Sequence, residues 1–395
     1  MQCAVFFYVK YFSQLNIVAT WYDLGMSDVR FVQKIELSSD IYYSLYTKIN
    51  NIKQQDLKSN GLIVVVADLF LKENVEFREF INKVKAEVFF YNLVTEPTTD
   101  FIDLMKFKIL EKKRIVKCII GIGGGSVLDS AKALSNILNN PGLSEDYQGW
   151  DLLKNRGVYK IGVPTLFGTG AETSRTCVLI NQKKNLKLGM NSPFTIFDEL
   201  IIQPKLVITA PENIRVMTAL DGFFHAIEIL DGKGRNIFAD SFAEKSLDHF
   251  LKAIFANDPL NDEALQNLAL SSFYGGLALS NGMVGLIHPF SAALSVVFGI
   301  PHAKANCFAM KALDDYYPTR KKIYWEVIKR YNLDILLNFD LHVSDSELDA
   351  LCDATLIHSK PLSNYFGAEW EEELTRELIR KIFIQITRKD KNARF

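Results

Sequence analysis

The stretch IVKCIIGIGGGSVLDSAKAL, residues 115–134, governs how the rest of the chain is read. Its first half is an apolar run of the kind a strand carries when both faces of its sheet are covered. The run ends in Gly121, Gly123, Gly124 and Gly125, and Ser126 opens a helical pattern. Glycines let the backbone turn sharply and approach an anion closely, while the amides and dipole at a helix start favour phosphate. Strand, glycine turn and helix in that order fit the first turn of a βαβ unit that receives a pyrophosphate. Ser126 stands where the strict dinucleotide fingerprint has its third glycine, so a plain tight turn is the alternative.

Outward from this stretch the first half of the chain keeps the same alternation. Buried-strand runs occur at residues 61–68 (GLIVVVAD), 86–93 (AEVFFYNL), 115–123 and 159–165 (YKIGVPT), with helical or turn-rich segments between them. From about Pro211 the pattern changes to helical periods over 211–232, 238–256, 262–282, 303–316, 320–334 and 371–388, with no convincing strand. The expected architecture is an α/β N-terminal domain with a Rossmann-like parallel sheet, residues 26–207, followed by an all-α metal-binding domain, residues 208–395. Residues 1–25 read as a possible extension with Met26 as an alternative start. Their apolar run is short and broken by Lys10, so neither a signal peptide nor a membrane span is expected.

The 395 residues carry 45 basic against 46 acidic side chains, which excludes the charge footprint of a nucleic-acid binder and points to a small-molecule partner. The five cysteines are scattered and form no C-x-x-C pair, so a reducing cytoplasm is expected and a disulfide framework is not.

Asp221 and His225 lie four apart in TALDGFFHAIEIL, and so share one face of a helix. His288 and His302 follow in the apolar stretch GLIHPFSAALSVVFGIPHAKANC. Any one of these histidines alone reads as a hydrogen-bonded core residue. Together the four read as a site for a divalent cation such as Fe2+ or Zn2+, with a position left open for a substrate oxygen. A second loop, VPTLFGTGAETSRT (163–176), offers hydroxyls and amides to a ribose or nicotinamide. Asp68 ends an early strand, where an acidic residue accepts from ribose hydroxyls and favours NAD over NADP; a helix N-cap is the alternative. Arg175 is placed to hold a substrate carboxylate through a bidentate pair, or else to form a structural ion pair. His249, His342 and His358 read as surface or capping residues.

With these motifs in place the chain resembles the iron-containing (group III) alcohol dehydrogenase family from about residue 28 to its end. GGGSVLDSAK, PTLFGTGAE, DGFFHAIE and IPHAKAN carry the resemblance, in family order. It implies the dehydroquinate synthase-like fold of that family, NAD as cofactor, and an iron or zinc ion that binds the substrate alcohol beside the nicotinamide. Carried over residue by residue, the metal ligands are Asp221, His225, His288 and His302. The cofactor loops are Gly123, Gly124, Gly125 and Ser126 with Asp129 and Lys132, then Thr165, Leu166 and Thr169, with Lys187 nearby. Two departures stand out. Ala292 replaces a further histidine of many simple alcohol dehydrogenases in the family, and Ala303 replaces the usual glycine after the last ligand. The missing imidazole implies a substrate other than a simple short-chain alcohol. EPTTD, GTGAETSRT and KPLSNYFG look most like the branch that includes 3-deoxy-D-manno-octulosonate (Kdo) 8-oxidases, which act on an acidic sugar in lipopolysaccharide biosynthesis. The expected partners are therefore a small-molecule alcohol or sugar acid and a second copy of the chain in a homodimer, with no nucleic acid and no membrane. A dehydrogenase for small alcohols, lactaldehyde or glycerol is the rival enzyme, and a silent metal-stabilised binding protein the rival of another class.

Overall fold

The computed structural model describes residues 31–55, 61–92, 96–334 and 343–387; the possible extension 1–25 and His342 lie outside them. Among the described residues nine strands form two sheets. Their ranges are β1 Lys34–Leu37, β2 Leu62–Asp68, β3 Glu87–Tyr91, β4 Val116–Gly123, β5 Gly149–Trp150, β6 Lys160–Pro164, β7 Thr176–Asn181, β8 Leu186–Asn191 and β9 Glu199–Ile202. The larger sheet has the order β1-β9-β6-β4-β2-β3, with every pair parallel. Helices α1 (Ile41–Gln55), α2 (Val75–Val84), α3 (Thr99–Glu111) and α4 (Gly125–Leu138) cover its faces. All seven residues of β2 are buried. Leu62, Val64 and Val66 join one core with α3 and α4, while Ile63, Val65 and Ala67 join a second core with α1 and α2. That two-residue alternation between covered faces explains the unbroken apolar run in sequence.

The chain leaves β2 toward β3 on one side and reaches β4 on the other, so the order of the sheet reverses between β2 and β4. A crevice outside the carboxyl ends of the strands at such a point is where open α/β sheets bind ligands. The smaller sheet has the order β5-β8-β7. It is built on an antiparallel β7-β8 hairpin, with β5 parallel to β8.

No strand follows Ile202 among the described residues. The helices there are α5 (Glu212–Leu230), α6 (Ile237–Ile254), α7 (Asp262–Asn281), α8 (Ile287–Phe298), α9 (His302–Leu313), α10 (Lys321–Arg330), α11 (Asp345–Leu356), α12 (Ser359–Phe366), α13 (Trp370–Glu373) and α14 (Arg376–Thr387). Helix α5 is buried on all sides from Val216 to Leu230, which makes it the axis of this half. The first core runs without a break from Val64 in the sheet to Phe383 in α14, so sheet and helices share one interior. No described helix is long and apolar enough to cross a membrane.

Three differences from the sequence reading have physical causes. Helix α8 was not expected, because Pro289 interrupts the pattern; it sits in the first turn, where its missing N–H costs nothing. The last helix starts at Arg376 rather than 371, because the Thr375 hydroxyl accepts from the Leu378 N–H and closes the chain there. The β7-β8 hairpin is absent from the sequence reading; its buried positions alternate with half-exposed ones and include Lys187.

Candidate active site and metal centre

The glycine turn lies at the reversal of the sheet. Gly124 is the N-cap of α4 with no side-chain cap, leaving first-turn amides to be met by something else. The loop after β6 packs on it: Leu166 lies against Gly124 and Thr169 against Gly125, where a Cβ would come within 3.2 and 2.9 Å of those side chains. The same loop reaches the helical half at two glycines in left-handed conformations. A Cβ on Gly168 (φ +140°) would fall 1.7 Å from the Thr218 carbonyl oxygen, and one on Gly170 (φ +64°) 2.6 Å from Gly276. Only glycine fits these positions.

Three expected cofactor residues take more internal roles. Asp68 is fully buried beneath the turn, where Oδ2 accepts from the Gly124 N–H (3.1 Å) and the Thr165 hydroxyl (3.2 Å). It occupies the N-cap position of the short helix Leu69–Glu73 but makes no side-chain cap bond there, and Oδ1 has no partner. Burial pushes its carboxyl up to about 7. Lys132, also fully buried, donates to the Ser174 carbonyl (3.0 Å), the Ser174 hydroxyl (3.1 Å) and the Thr176 carbonyl (2.8 Å). It ties α4 to β7 and has no proton left for a phosphate. Asp129 accepts from the Val178 N–H at 2.9 Å on the same seam.

The four expected metal ligands come from three helices. Asp221 and His225 sit one turn apart on α5, His288 in the first turn of α8, and His302 at the start of α9. One donor atom from each of Asp221, His288 and His302 lies within 4.8 Å of the others. His225 adjoins this trio, with Nε2 at 3.5 Å from Asp221 Oδ1 and its ring stacked on His288 at 4.6 Å between centroids. Nε2 of His288 and of His302 stand 3.4 and 3.7 Å from the same oxygen. Asp221 Oδ2, His225 Nδ1, His288 Nε2 and His302 Nδ1 are buried without a hydrogen-bond partner. A buried carboxylate ringed by three imidazoles with unsatisfied atoms suits a divalent cation.

The charge states of Asp221, His225 and His302 agree with that fit. Burial alone would raise the Asp221 carboxyl, but the surrounding imidazoles, His225 and His302 first, hold it well below the usual carboxylate range. Burial lowers His225 to about 4, and burial with the nearby Lys187 charge lowers His302 to about 3, so both offer neutral rings. Burial also opposes a charge on His288, yet the Glu228 and Asp221 carboxylates outweigh it and raise His288 to about 9, so a cation binding there has to displace its Nε2 proton.

Several residues around the site were not singled out in sequence. Glu228, on the α5 face that carries Asp221 and His225, accepts from His288 Nδ1. Asn306 donates to Asp221 Oδ1 at 2.6 Å. Glu96 accepts from the His302 N–H at 2.8 Å and pairs with Lys187 at 3.1 Å. Lys187 thus stands beside the metal candidates, 3.4 Å from Ser295 of α8. His358 occupies the N-cap position of α12 without a side-chain cap bond, and burial with the Lys187 and His288 charges pushes it down to about 4. His249 is a structural tie, hydrogen-bonded to Asn267 at 2.7 Å and stacked on Tyr274. Only Glu228 had a legible signal, its spacing of seven and three from Asp221 and His225. Arg175 pairs with Asp151 at 2.6 Å and lies over Trp150 at 5.6 Å, which is the ion-pair alternative.

Sequence models described as iron-containing alcohol dehydrogenase and as the C-terminal region of the Fe-containing alcohol dehydrogenase family match residues 46–204 and 215–334. The chain belongs to the iron-containing alcohol dehydrogenase family. It is similar to the sulfoacetaldehyde reductase of Bilophila wadsworthia (strain 3_1_6), with 33% identity over 193 residues, 48% of this chain and 50% of that protein. It is similar also to the NAD-dependent methanol dehydrogenase of Bacillus methanolicus, with 29% identity over 202 residues, 50% of this chain and 53% of that protein. The chain thus spans about half the length of these curated relatives. Among solved structures of the fold, an alcohol dehydrogenase from Oenococcus oeni superposes with TM-score 0.76 at 20% identity, over 91% of this chain and 99% of that one. A sulfoacetaldehyde reductase from Bifidobacterium kashiwanohense, in complex with NAD+, gives 0.73 at 21%, over 92% and 99%.

Proposed function

We propose that the protein is an NAD-dependent alcohol dehydrogenase in which Asp221, His225, His288 and His302 hold Fe2+ or Zn2+. The observation that carries this reading is the convergence of these four side chains, Asp221 and His225 buried and His288 and His302 half-buried, with polar atoms unsatisfied, in a chain whose glycine turn lies at the sheet reversal. When bound, the ion supplies Lewis acidity that lowers the pKa of a substrate hydroxyl, and NAD accepts the hydride. The chain's own residues do the positioning. Gly123, Gly124, Gly125 and Ser126 present first-turn amides of α4 to the pyrophosphate, and Thr165, Leu166 and Thr169 form the facing wall. Asp68 and Lys132 act from beneath, by fixing that turn and its seam. Asp221 carries the negative charge that a cation needs, and the neutral rings of His225 and His302 supply lone pairs.

The substrate in this proposal is an acidic sugar such as Kdo, oxidised at its terminal hydroxyl, which would put the enzyme in lipopolysaccharide biosynthesis. Ala292 supports it: one turn beyond His288 on α8 there is a methyl group in place of the imidazole of simpler relatives. Relatives named for the acid-bearing compounds sulfoacetaldehyde and 4-hydroxybutyrate are compatible with it. The relative named for methanol favours a small-alcohol dehydrogenase as the second reading. The buried free thiols of Cys118, Cys177, Cys307 and Cys352 suit a reducing cytoplasm, and a homodimer is the proposed assembly.

NADH formation across a panel of alcohols that includes Kdo tests the reading. Turnover is expected to need Fe2+ or Zn2+, to be highest with Kdo, and to vanish in His288→Ala. Near-normal turnover by metal-stripped His288→Ala sinks the metal assignment, and a preference for short neutral alcohols transfers the case to the second reading.

A further inference from the structure

We propose that Glu228 is a positioning residue that fixes both the orientation and the tautomer of His288; the inference rests on the metal reading above. Glu228 is wholly buried on α5, seven residues from Asp221 and three from His225, so all three side chains leave one face. Its two oxygens divide the work. Oε1 accepts from the Ile287 N–H and, at 3.3 Å, from the His288 N–H. These are first-turn amides of α8, a helix whose N-cap residue, Leu286, offers no side-chain cap. The Leu286 N–H goes instead to the Tyr317 hydroxyl at 3.1 Å, which in turn points at Glu228 Oε1 from 3.5 Å. Glu228 therefore does, from a neighbouring helix, what a capping side chain does from within.

Oε2 accepts the proton on Nδ1 of His288. With that proton pinned, Nε2 is the atom turned toward Asp221, 3.4 Å from Oδ1 and without a hydrogen-bond partner. One carboxylate thus sets where α8 begins, which way the His288 ring faces and which nitrogen, Nε2, offers its lone pair once a cation displaces the second ring proton. Partners of this kind hold the tautomer of a metal-binding imidazole and raise its basicity.

Glu228→Gln is nearly isosteric and separates these roles. Its carbonyl oxygen can still accept from the α8 amides, but its NH2 then faces Nδ1 as a donor. Nδ1 must accept, so the ring proton moves to Nε2, where it obstructs a cation. Affinity for Zn2+ or Fe2+, measured by chelator competition on the full chain, is expected to fall 10- to 100-fold. The melting temperature of the metal-free protein should hold. In the background of His288→Ala the same substitution should cost no further affinity, because Glu228 acts through that ring. Nitrogen-15 histidine spectra of the Zn2+-loaded wild type need no variant and should show the His288 proton on Nδ1.

Unchanged metal affinity in Glu228→Gln, an additive loss in the double variant, or a His288 proton on Nε2 each overturns the inference. A wild-type protein that binds no divalent ion overturns the metal reading itself, so the two failures are distinct.

Discussion

Two buried charges, Lys132 in the sheet half and Asp221 in the helical half, are equally hidden from water and differently finished. Lys132 gives each of its three protons to an oxygen of Ser174 or Thr176. Asp221 receives one N–H from Asn306 on Oδ1, while Oδ2 has no partner and three imidazoles stand around the carboxylate. Stranding an ionised group in a protein interior costs several kcal/mol, so a chain tolerates it only where something else completes the shell. Lys132 is completed by the fold. Asp221 is left open for the proposed cation, and the contrast separates a residue that builds the seam from one assigned to the site.

Lys132→Met is the strongest way to break that contrast. Methionine keeps the aliphatic length but leaves the Ser174 and Thr176 oxygens and Asp129 without their cation. Removing one partner from such a buried set costs about 3–5 kcal/mol, to be read from urea unfolding. Metal affinity should be unaffected. A variant as stable as the parent that loses only NAD affinity would return Lys132 to the cofactor site and end the comparison.

Asp68 lies between the two cases, since Oδ2 is bonded to the glycine turn and Oδ1 has no partner. Its carboxyl is raised from 3.8 in the reference state to about 7 in the folded protein. The folded state thus holds this proton more tightly than the unfolded state. Its contribution is greatest at the acid end and is lost as pH climbs from about 4 through about 7. Asp68→Asn removes the loss, so the stability of variant over parent should grow on going from pH 4 to pH 8, by on the order of 3 kcal/mol. Paired urea unfolding at the two pH values measures it. A pH-independent difference would mean that Asp68 is already ionised in the folded state and has a partner on Oδ1.

The legible parts of the molecule were those in which local pattern and tertiary role coincide. The β2 and β4 runs are apolar because both faces of the sheet are covered, and the four metal candidates declare themselves by residue type. Roles set by distant segments were hidden. Nothing around Lys132 indicates that residues some forty positions later will consume its protons, and nothing around His358 says that the Lys187 and His288 charges will lower its pKa. Helix α8 was obscured by Pro289, although a first-turn proline is one of the residues its geometry tolerates best. The strand position of Asp68 indicated the glycine turn as its neighbour but not the bonds of Oδ2 to Gly124 and Thr165, because those are set by distant segments.

Arg175 gives the smallest expected effect and the sharpest division between site and scaffold. Its guanidinium is engaged by Asp151, a side chain that is itself 62% exposed, and a pair of that kind is worth less than about 1 kcal/mol. If that pair is its whole role, Arg175→Ala leaves the ratio of KM for an acidic sugar to KM for a neutral alcohol where it was. If Arg175 also receives a substrate carboxylate, the lost charge-assisted hydrogen bond is worth about 1.5–3 kcal/mol, roughly a 10- to 100-fold rise in KM for the acid alone. The second outcome is expected from the acidic-sugar reading. Lys360 helps it, because its ammonium lies 4.0 Å from the Trp150 ring centroid, on the same indole that Arg175 approaches, and leaves positive charge at this edge while Asp151 occupies the guanidinium. Steady-state KM for the two substrate classes, measured on the same metal-loaded preparation, decides whether the edge recognises an anion or only holds Trp150 in place.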